Sequence, residues 1–184
     1  MKLKSLLLVC LLTVFTVSAQ KYTNTQTQPT TKEWKGLTFS SEKSIFQNIE
    51  NADEFSKAWP LFKDGVIAED AMLTAFVMVN SSFNELTKDE EESLFADSWK
   101  PFVTYHLIPG RVDSNALVKA VANGNGTAYF DTVLGQRLGV KEVNGKLVLF
   151  DGQGNTAEII ASDYYHKNGF FHVVNGLLMP ASEK

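Results

Sequence analysis

The sequence predicts an α+β domain, and three observations carry that reading. Helix-capping signals crowd the first half of the chain. Apolar strands bounded by turn residues fill the second half. The 184 residues are 44% hydrophobic, enough for one sizeable core. Helices first and an antiparallel meander afterwards is the α+β layer pattern, and the length suits one domain. No internal repeat or second domain boundary interrupts it.

The N-terminus reads as an export signal. Lys2 and Lys4 give a positive start, residues 6–17 are an almost unbroken apolar run, and Val17-Ser18-Ala19 offers small residues to a signal peptidase. That is the order of a cleavable secretory signal, residues 1–19; the run is short for a membrane span, which needs roughly 20 apolar residues. Cys10 lies inside the run behind Val9, a poor context for lipidation, and it is the only cysteine. Cleavage after Ala19 therefore leaves a chain without disulfides or thiol chemistry, held by its hydrophobic core alone. Removing nineteen of the 184 residues leaves 165, and loss of Lys2 and Lys4 moves the net charge from −4 to −6. A mildly acidic surface argues against nucleic acid or anionic lipid as partner.

Residues 20–40 read as a flexible polar spacer. The stretch 20–32 is rich in Thr, Gln and Asn and cannot bury enough surface to fold. Trp34, Leu37 and Phe39 mark the approach to the domain proper, residues 41–181. Ile45, Phe46 and Ile49 predict a helix near 44–51. Asp53 can cap a helix carrying Phe55, Ala58, Trp59 and Phe62, with Pro60 as a kink and Asp64-Gly65 as its stop. LTAFVMV (73–79) is a continuous apolar run with the length of a buried strand. Thr87 and Glu90 form a capping box opening an acidic helix. Ser98 is read as the cap of the next helix, which carries Phe102, Val103 and His106, and Ser114 as the cap of another over 116–122. Asn144-Gly145 then signals a hairpin between 137–143 and 146–151. Leu147 and Leu149 alternate with Val148 and Phe150, a pattern that allows burial on both faces. Residues 156–162 and 169–174 complete the strands.

Four segments, in order, resemble the fasciclin-like domain family. TAFVMVNSSF (74–83) is similar to the family's TVFAPTNEAF box, with Thr74, Phe76, Asn80 and Phe83 matching. YHLIPG (105–110) resembles YHVVPG, with Tyr105, His106, Pro109 and Gly110 in place. TVLG (132–135) fits TLLG. FHVVNGLLMP (171–180) resembles IHVIDGVLLP, with His172, Gly176 and Pro180 matching and Asn175 where an acid is common. Met78 also replaces the usual proline. The resemblance implies a compact β-wedge or sandwich of mostly antiparallel strands with a helical layer from the N-terminal half. It further implies adhesion or ligand binding without catalysis, and a binding role for Tyr105, His106, Leu107 and Ile108.

The residues themselves support a quieter reading of that quartet. A tyrosine and a histidine at a helix end more often satisfy hydrogen bonds in a core. His172 sits in an apolar strand and reads as packed. His166 follows Tyr164-Tyr165 in a polar stretch and reads as exposed. The three histidines lack zinc-ligand spacing, and Asp89-Glu90-Glu91-Glu92 lacks the ligand spacing of a calcium loop. No nucleophile elbow and no phosphate loop is present. Ser162, Asp163 and His166 lie too close in sequence to form a triad. Asp151-Gly152-Gln153-Gly154-Asn155 reads as a tight turn. Asn80 and Asn125 open glycosylation sequons.

The expectation is thus a secreted, periplasmic or surface-held adhesion module, not an enzyme, without cofactor or metal. Its partner would be an extracellular protein or glycan, met by exposed aromatics such as Tyr129, Tyr164 or Tyr165. A carrier of small apolar molecules, suggested by 13 Phe and by Met72, Met78 and Met179, is the alternative.

Overall fold

The computed structural model describes residues 29–62 and 71–181. The export signal, Cys10 and Asp64-Gly65 lie outside the described residues. No helix among those described is long and apolar enough to cross a membrane.

The first elements correct the spacer. Thr31–Trp34 (β1) and Leu37–Ser40 (β2) form an antiparallel hairpin. Lys35 and Gly36 both take positive φ, 47° and 76°, as a two-residue turn between twisted strands demands. Phe39 holds the hairpin down. It is 1% exposed and meets the Tyr164 and Phe171 rings edge-on, at 4.9 and 5.0 Å. Lys32 donates to the Ser162 carbonyl and lies over the Tyr164 ring. Residues 20–28 lie outside the described residues; over 31–40 the polar side chains take exposed or half-exposed positions of the strands, while Phe39 points inward.

Ile45–Ile49 (α1) starts at Ser44, which exchanges capping-box hydrogen bonds with Gln47. A 3-10 turn, Asp53–Phe55, and the short Trp59–Phe62 helix (α2) replace the single helix expected there. Asp53 is the first residue of that turn rather than its cap. Pro60 sits in the first turn of α2, where its missing N–H is harmless.

Leu73–Met78 (β3) is buried at every position, as its apolar run requires. After a 3-10 turn at Asn80–Glu85, Lys88–Ser93 (α3) opens with the Thr87/Glu90 capping box that the sequence predicts. The Thr87 bonds hold Glu90 below the usual carboxylate range. A π turn, Leu94–Ser98, then runs straight into Trp99–Tyr105 (α4), so Ser98 makes no side-chain cap. Leu107–Pro109 (β4) follows. Ser114–Asn123 (α5) is capped by Asp113, not Ser114; the Asp113 carboxylate accepts from Ala116 N at 2.7 Å. Ser114 instead hydrogen-bonds the Asp163 carboxylate.

The remaining strands are Thr127–Asp131 (β5), Arg137–Val143 (β6), Lys146–Phe150 (β7), Thr156–His166 (β8) and Gly169–Val174 (β9). Together with β3 and β4 they make a seven-stranded sheet in the order β4-β3-β9-β8-β7-β6-β5. Only the β3–β9 pair is parallel. The sheet curls until its ends nearly meet: Val133 N, just past β5, donates to Leu107 O of β4 at 2.8 Å. The core fills the inside with Phe76, Phe102, Tyr105, Leu107, Leu138, Val140, Leu149 and Phe171, and the helices close it.

β7 is not buried on both faces. Leu149 alone is fully inside, while Val148 and Phe150 are half-buried on the outer face.

Candidate functional site

The residues of the first box stitch the fold together. Thr74 Oγ1 donates to Gly110 O at 2.9 Å and accepts from Val112 N at 2.8 Å, tying β3 to the turn after β4. Gly110 makes that turn with φ of 90°. Asn80 latches the preceding helical segment: its Oδ1 accepts from Lys57 N and its Nδ2 donates to Asp53 O and Ser56 Oγ. Phe83 is buried and meets Phe95.

Tyr105, His106, Leu107 and Ile108 do not reach the surface. Their exposures are 2%, 0%, 0% and 1%. The α4–β4 junction carries all four side chains into the core, because both elements lie against its interior. Tyr105 donates to Arg137 O at 2.9 Å, and burial followed by the Asp151 charge pushes its pKa up to about 12. His106 Nδ1 lies 2.8 Å from Phe102 O, which assigns the proton to Nδ1; Nε2 has no hydrogen-bond partner among the described residues. Burial holds the ring neutral, with a pKa near 4, against the opposing pull of the Phe102 carbonyl and Asp151.

The other histidines are also anchored. His172 Nε2 donates to Val112 O at 2.9 Å and its Nδ1 accepts from Asp163 N. His166 is 4% exposed, not solvated as expected, since β8 runs on to it instead of ending at residue 162. Its Nε2 donates to Leu73 O at 3.1 Å. Burial lowers both, His166 to about 4. Asp163 is spoken for by Ser114 and Ser162. Burial raises it, but Ser114, His172 and Lys32 outweigh burial and keep it low. The His166 side chain therefore serves a different part of the frame from the bonded Ser162–Asp163 pair. Among the described residues no three His, Cys, Asp or Glu side chains gather as a metal site requires.

The last box closes the far end. Asn175 Oδ1 accepts from Glu158 N at 3.0 Å. A side chain on Gly176 would put its Cβ 2.4 Å from Thr156 O, so only glycine fits. The 151–155 turn does more than reverse the chain. The Asp151 carboxylate, 6% exposed, accepts from Gln153 N, Asn155 N, Asn155 Nδ2 and Met179 N. It locks the segment containing Pro180 against the sheet. Nothing in the sequence singled out Asp151 beyond its place in a turn, because the Met179 contact joins residues 28 apart.

What the fold leaves open lies outside the core. An exposed cleft of about 930 Å³ runs between the Asn80–Glu85 turn and the outer face of β6–β8. Lys141, Val148, Thr156, Glu158, Asn155 and Asn175 are among its lining residues. A smaller cleft of about 450 Å³, between α4 and residues 179–181, adjoins it across Gln153 and Met179. Tyr129, 60% exposed, stands on the outer face of β5, and Tyr165, 41% exposed, on the far end of β8. Tyr164, a candidate contact, is 3% exposed and unavailable.

Comparison with known proteins places this geometry. The fasciclin domain model matches residues 53–180. The chain belongs to the fasciclin domain family. Among solved structures it is similar to the FAS1 domain pair from the insect cell adhesion molecule fasciclin I, with a TM-score of 0.61 at 18% identity. That alignment covers 75% of this chain and 51% of the other, so the chain spans about half the length of that relative. A search of curated proteins finds no match. All four sequence boxes fall inside the fasciclin match, whereas the β1–β2 hairpin and α1 precede it and pack on it.

Proposed function

We propose that this fasciclin-domain protein is an exported, non-enzymatic adhesion module that binds an extracellular protein or glycan. One observation carries the reading: the family's match spans the domain while the titratable side chains of its motifs, Tyr105, His106 and His172, face inward. Tyr105, His106, His166 and His172 are each bonded to main-chain carbonyls and held away from solvent. A general acid or base must reach a substrate proton, and these groups reach the frame. Binding falls to the surface instead. The fold resembles that of an insect cell adhesion molecule, and the export signal at residues 1–19 supports action outside the cytoplasm.

The aromatic and Met content that motivates a carrier has another use. Phe39, Phe55, Phe76, Phe83, Phe102, Phe171 and Met78 are fully buried and fill the core.

The test is a plate adhesion assay with the purified full chain against cells and matrix preparations. Saturable retention supports the module reading. Retention no better than that of an unrelated acidic protein would contradict it.

A further inference from the structure

The antiparallel register sorts β5–β8 into two faces. Ala128, Leu138, Val140, Leu149 and Ala157 point into the core, all buried. On the outer face, Tyr129, Gly139, Phe150 and Thr156 form one transverse row, and Thr127, Lys141, Val148 and Glu158 the next. Gly139 is the key to the first row. A Cβ there would lie 2.2 Å from Phe150 Cζ, so the missing side chain lets the Phe150 ring lie down on the sheet. Tyr129, 60% exposed, packs edge-on against that ring at 5.8 Å, and the Lys141 ammonium sits 5.3 Å from its centre. The result is an aromatic ledge that continues, through Lys141, Val148 and Thr156, into the cleft of about 930 Å³.

The cleft is lined by amides held at one end. Gln153 Nε2 donates to Pro180 O, Asn155 Nδ2 to Asp151, and Asn175 Oδ1 accepts from Glu158 N. The opposite ends, Gln153 Oε1, Asn155 Oδ1 and Asn175 Nδ2, have no partner among the described residues. Each is a rigid donor or acceptor whose ordering cost is already met by folding. An aromatic ledge beside fixed, unspent amide groups matches a sugar ring, which offers an apolar C–H face to the ring and hydroxyls to the amides. A protein partner would seek a dry cluster of large apolar anchors, and on this face Val148 is flanked across the strands by Lys141 and Glu158, and Phe150 by Thr156. Charge narrows the class. Glu85, Glu90 and Glu158 line the cleft with Lys141 as the opposing cation, and Lys146 already pairs with Glu158 at 2.8 Å. Sulfated or carboxylated sugars would meet like charge; neutral and amino sugars would not.

We propose that the outer face of β5–β7 with the start of β8 (Thr156 and Glu158), and the cleft adjoining it, bind a non-acidic oligosaccharide, with Tyr129 as the stacking residue; Tyr165 lies at the far end of β8, beside Phe170 and outside this surface. This rests on reading the chain as a binding module, and names the ligand class. The test is a glycan array spanning neutral, amino and acidic sugars, probed with the full chain, followed by calorimetry on the strongest ligand. Binding is expected on neutral or amino sugars. Tyr129→Ala should weaken it by about two- to tenfold, Tyr129→Phe should restore it, and Tyr165→Ala, an exposed tyrosine outside the cleft, should change nothing. Thermal melting of all three variants should match the parent, showing that any loss is not unfolding. A blank array, binding confined to acidic sugars, or full binding by Tyr129→Ala overturns the proposal. If the array is blank while the chain still adheres to cells or matrix proteins, only the sugar inference falls. If adhesion is absent too, the module reading falls with it.

Discussion

Tyr105 and His106 are neighbours that spend their polar atoms differently. The tyrosine hydroxyl crosses to Arg137 O and so joins α4 to β6. Tyr105→Phe should cost about 1 kcal/mol, the typical net worth of such a bond, read as a lower midpoint in urea unfolding. The histidines set the pH response. His106 and His166 fall to about 4 in the fold from an unperturbed 6.5, and His172 is lowered as well. The unfolded chain therefore takes up protons that the folded chain refuses. Stability is complete above about pH 6.5 and drains as pH falls toward 4, by about 1.4 kcal/mol per pH unit for each histidine left neutral. Thermal melts at pH 7, 5.5 and 4 should show a steep drop across that window; a flat profile would contradict the buried neutral rings. At this scale the residues themselves favour a core role for the Tyr-His pair over the surface role the resemblance implies, and both side chains are buried. Their partners are not legible, since Tyr105 bonds Arg137 O, 32 residues away. His166 misled for the same reason: its polar neighbours are local, and the Leu73 carbonyl that buries it is 93 residues distant.

Among the elements, local signals were legible and shared ones were not. The Thr87/Glu90 box, the Asn144-Gly145 hairpin and the apolar β3 run each depend on a few adjacent residues. The cap of α5 was misplaced by one residue because Ser114 and Asp113 are both good caps, and Asp163 claims Ser114. The hairpin β1–β2 reads as spacer because, of its residues, only Phe39 is fully buried, while Trp34 and Leu37 are half-buried against the core. Phe39→Ala should cost about 3–5 kcal/mol and release the hairpin; hydrogen exchange would show protection lost at residues 31–40. The 151–155 turn is a clamp with one charged acceptor serving four donors. Asp151→Ala should destabilise by about 3 kcal/mol or more, given about 1.5–3 kcal/mol for bonds to a charged group, and should loosen residues 177–181 first. A loss below about 1 kcal/mol would mean the clamp does not hold the C-terminal segment.

For the whole molecule, the α+β class and the single fasciclin domain were readable, since capping, turn signals and four ordered boxes all agree. The pairing that organises them was not. β3 and β9 lie side by side in parallel although they come from opposite ends of the domain, so the first and last boxes become neighbours. Nothing local encodes such a contact. That pairing sets Phe76 of the first box against His172 of the last, their rings stacked at 5.6 Å inside the fold. The export reading predicts that secreted or periplasmic protein begins at Gln20; intact mass with Met1 or a lipid retained would contradict it. The central claim is that binding belongs to the exposed sheet face and the Tyr105-His106 pair to the frame. Its most direct test measures adhesion and thermal melting together for Tyr129→Ala and Tyr105→Phe. The account predicts that Tyr129→Ala weakens adhesion at an unchanged melting temperature, while Tyr105→Phe lowers the melting temperature and leaves the folded protein's adhesion intact. Adhesion lost in a fully folded Tyr105→Phe chain, and kept in Tyr129→Ala, would contradict it.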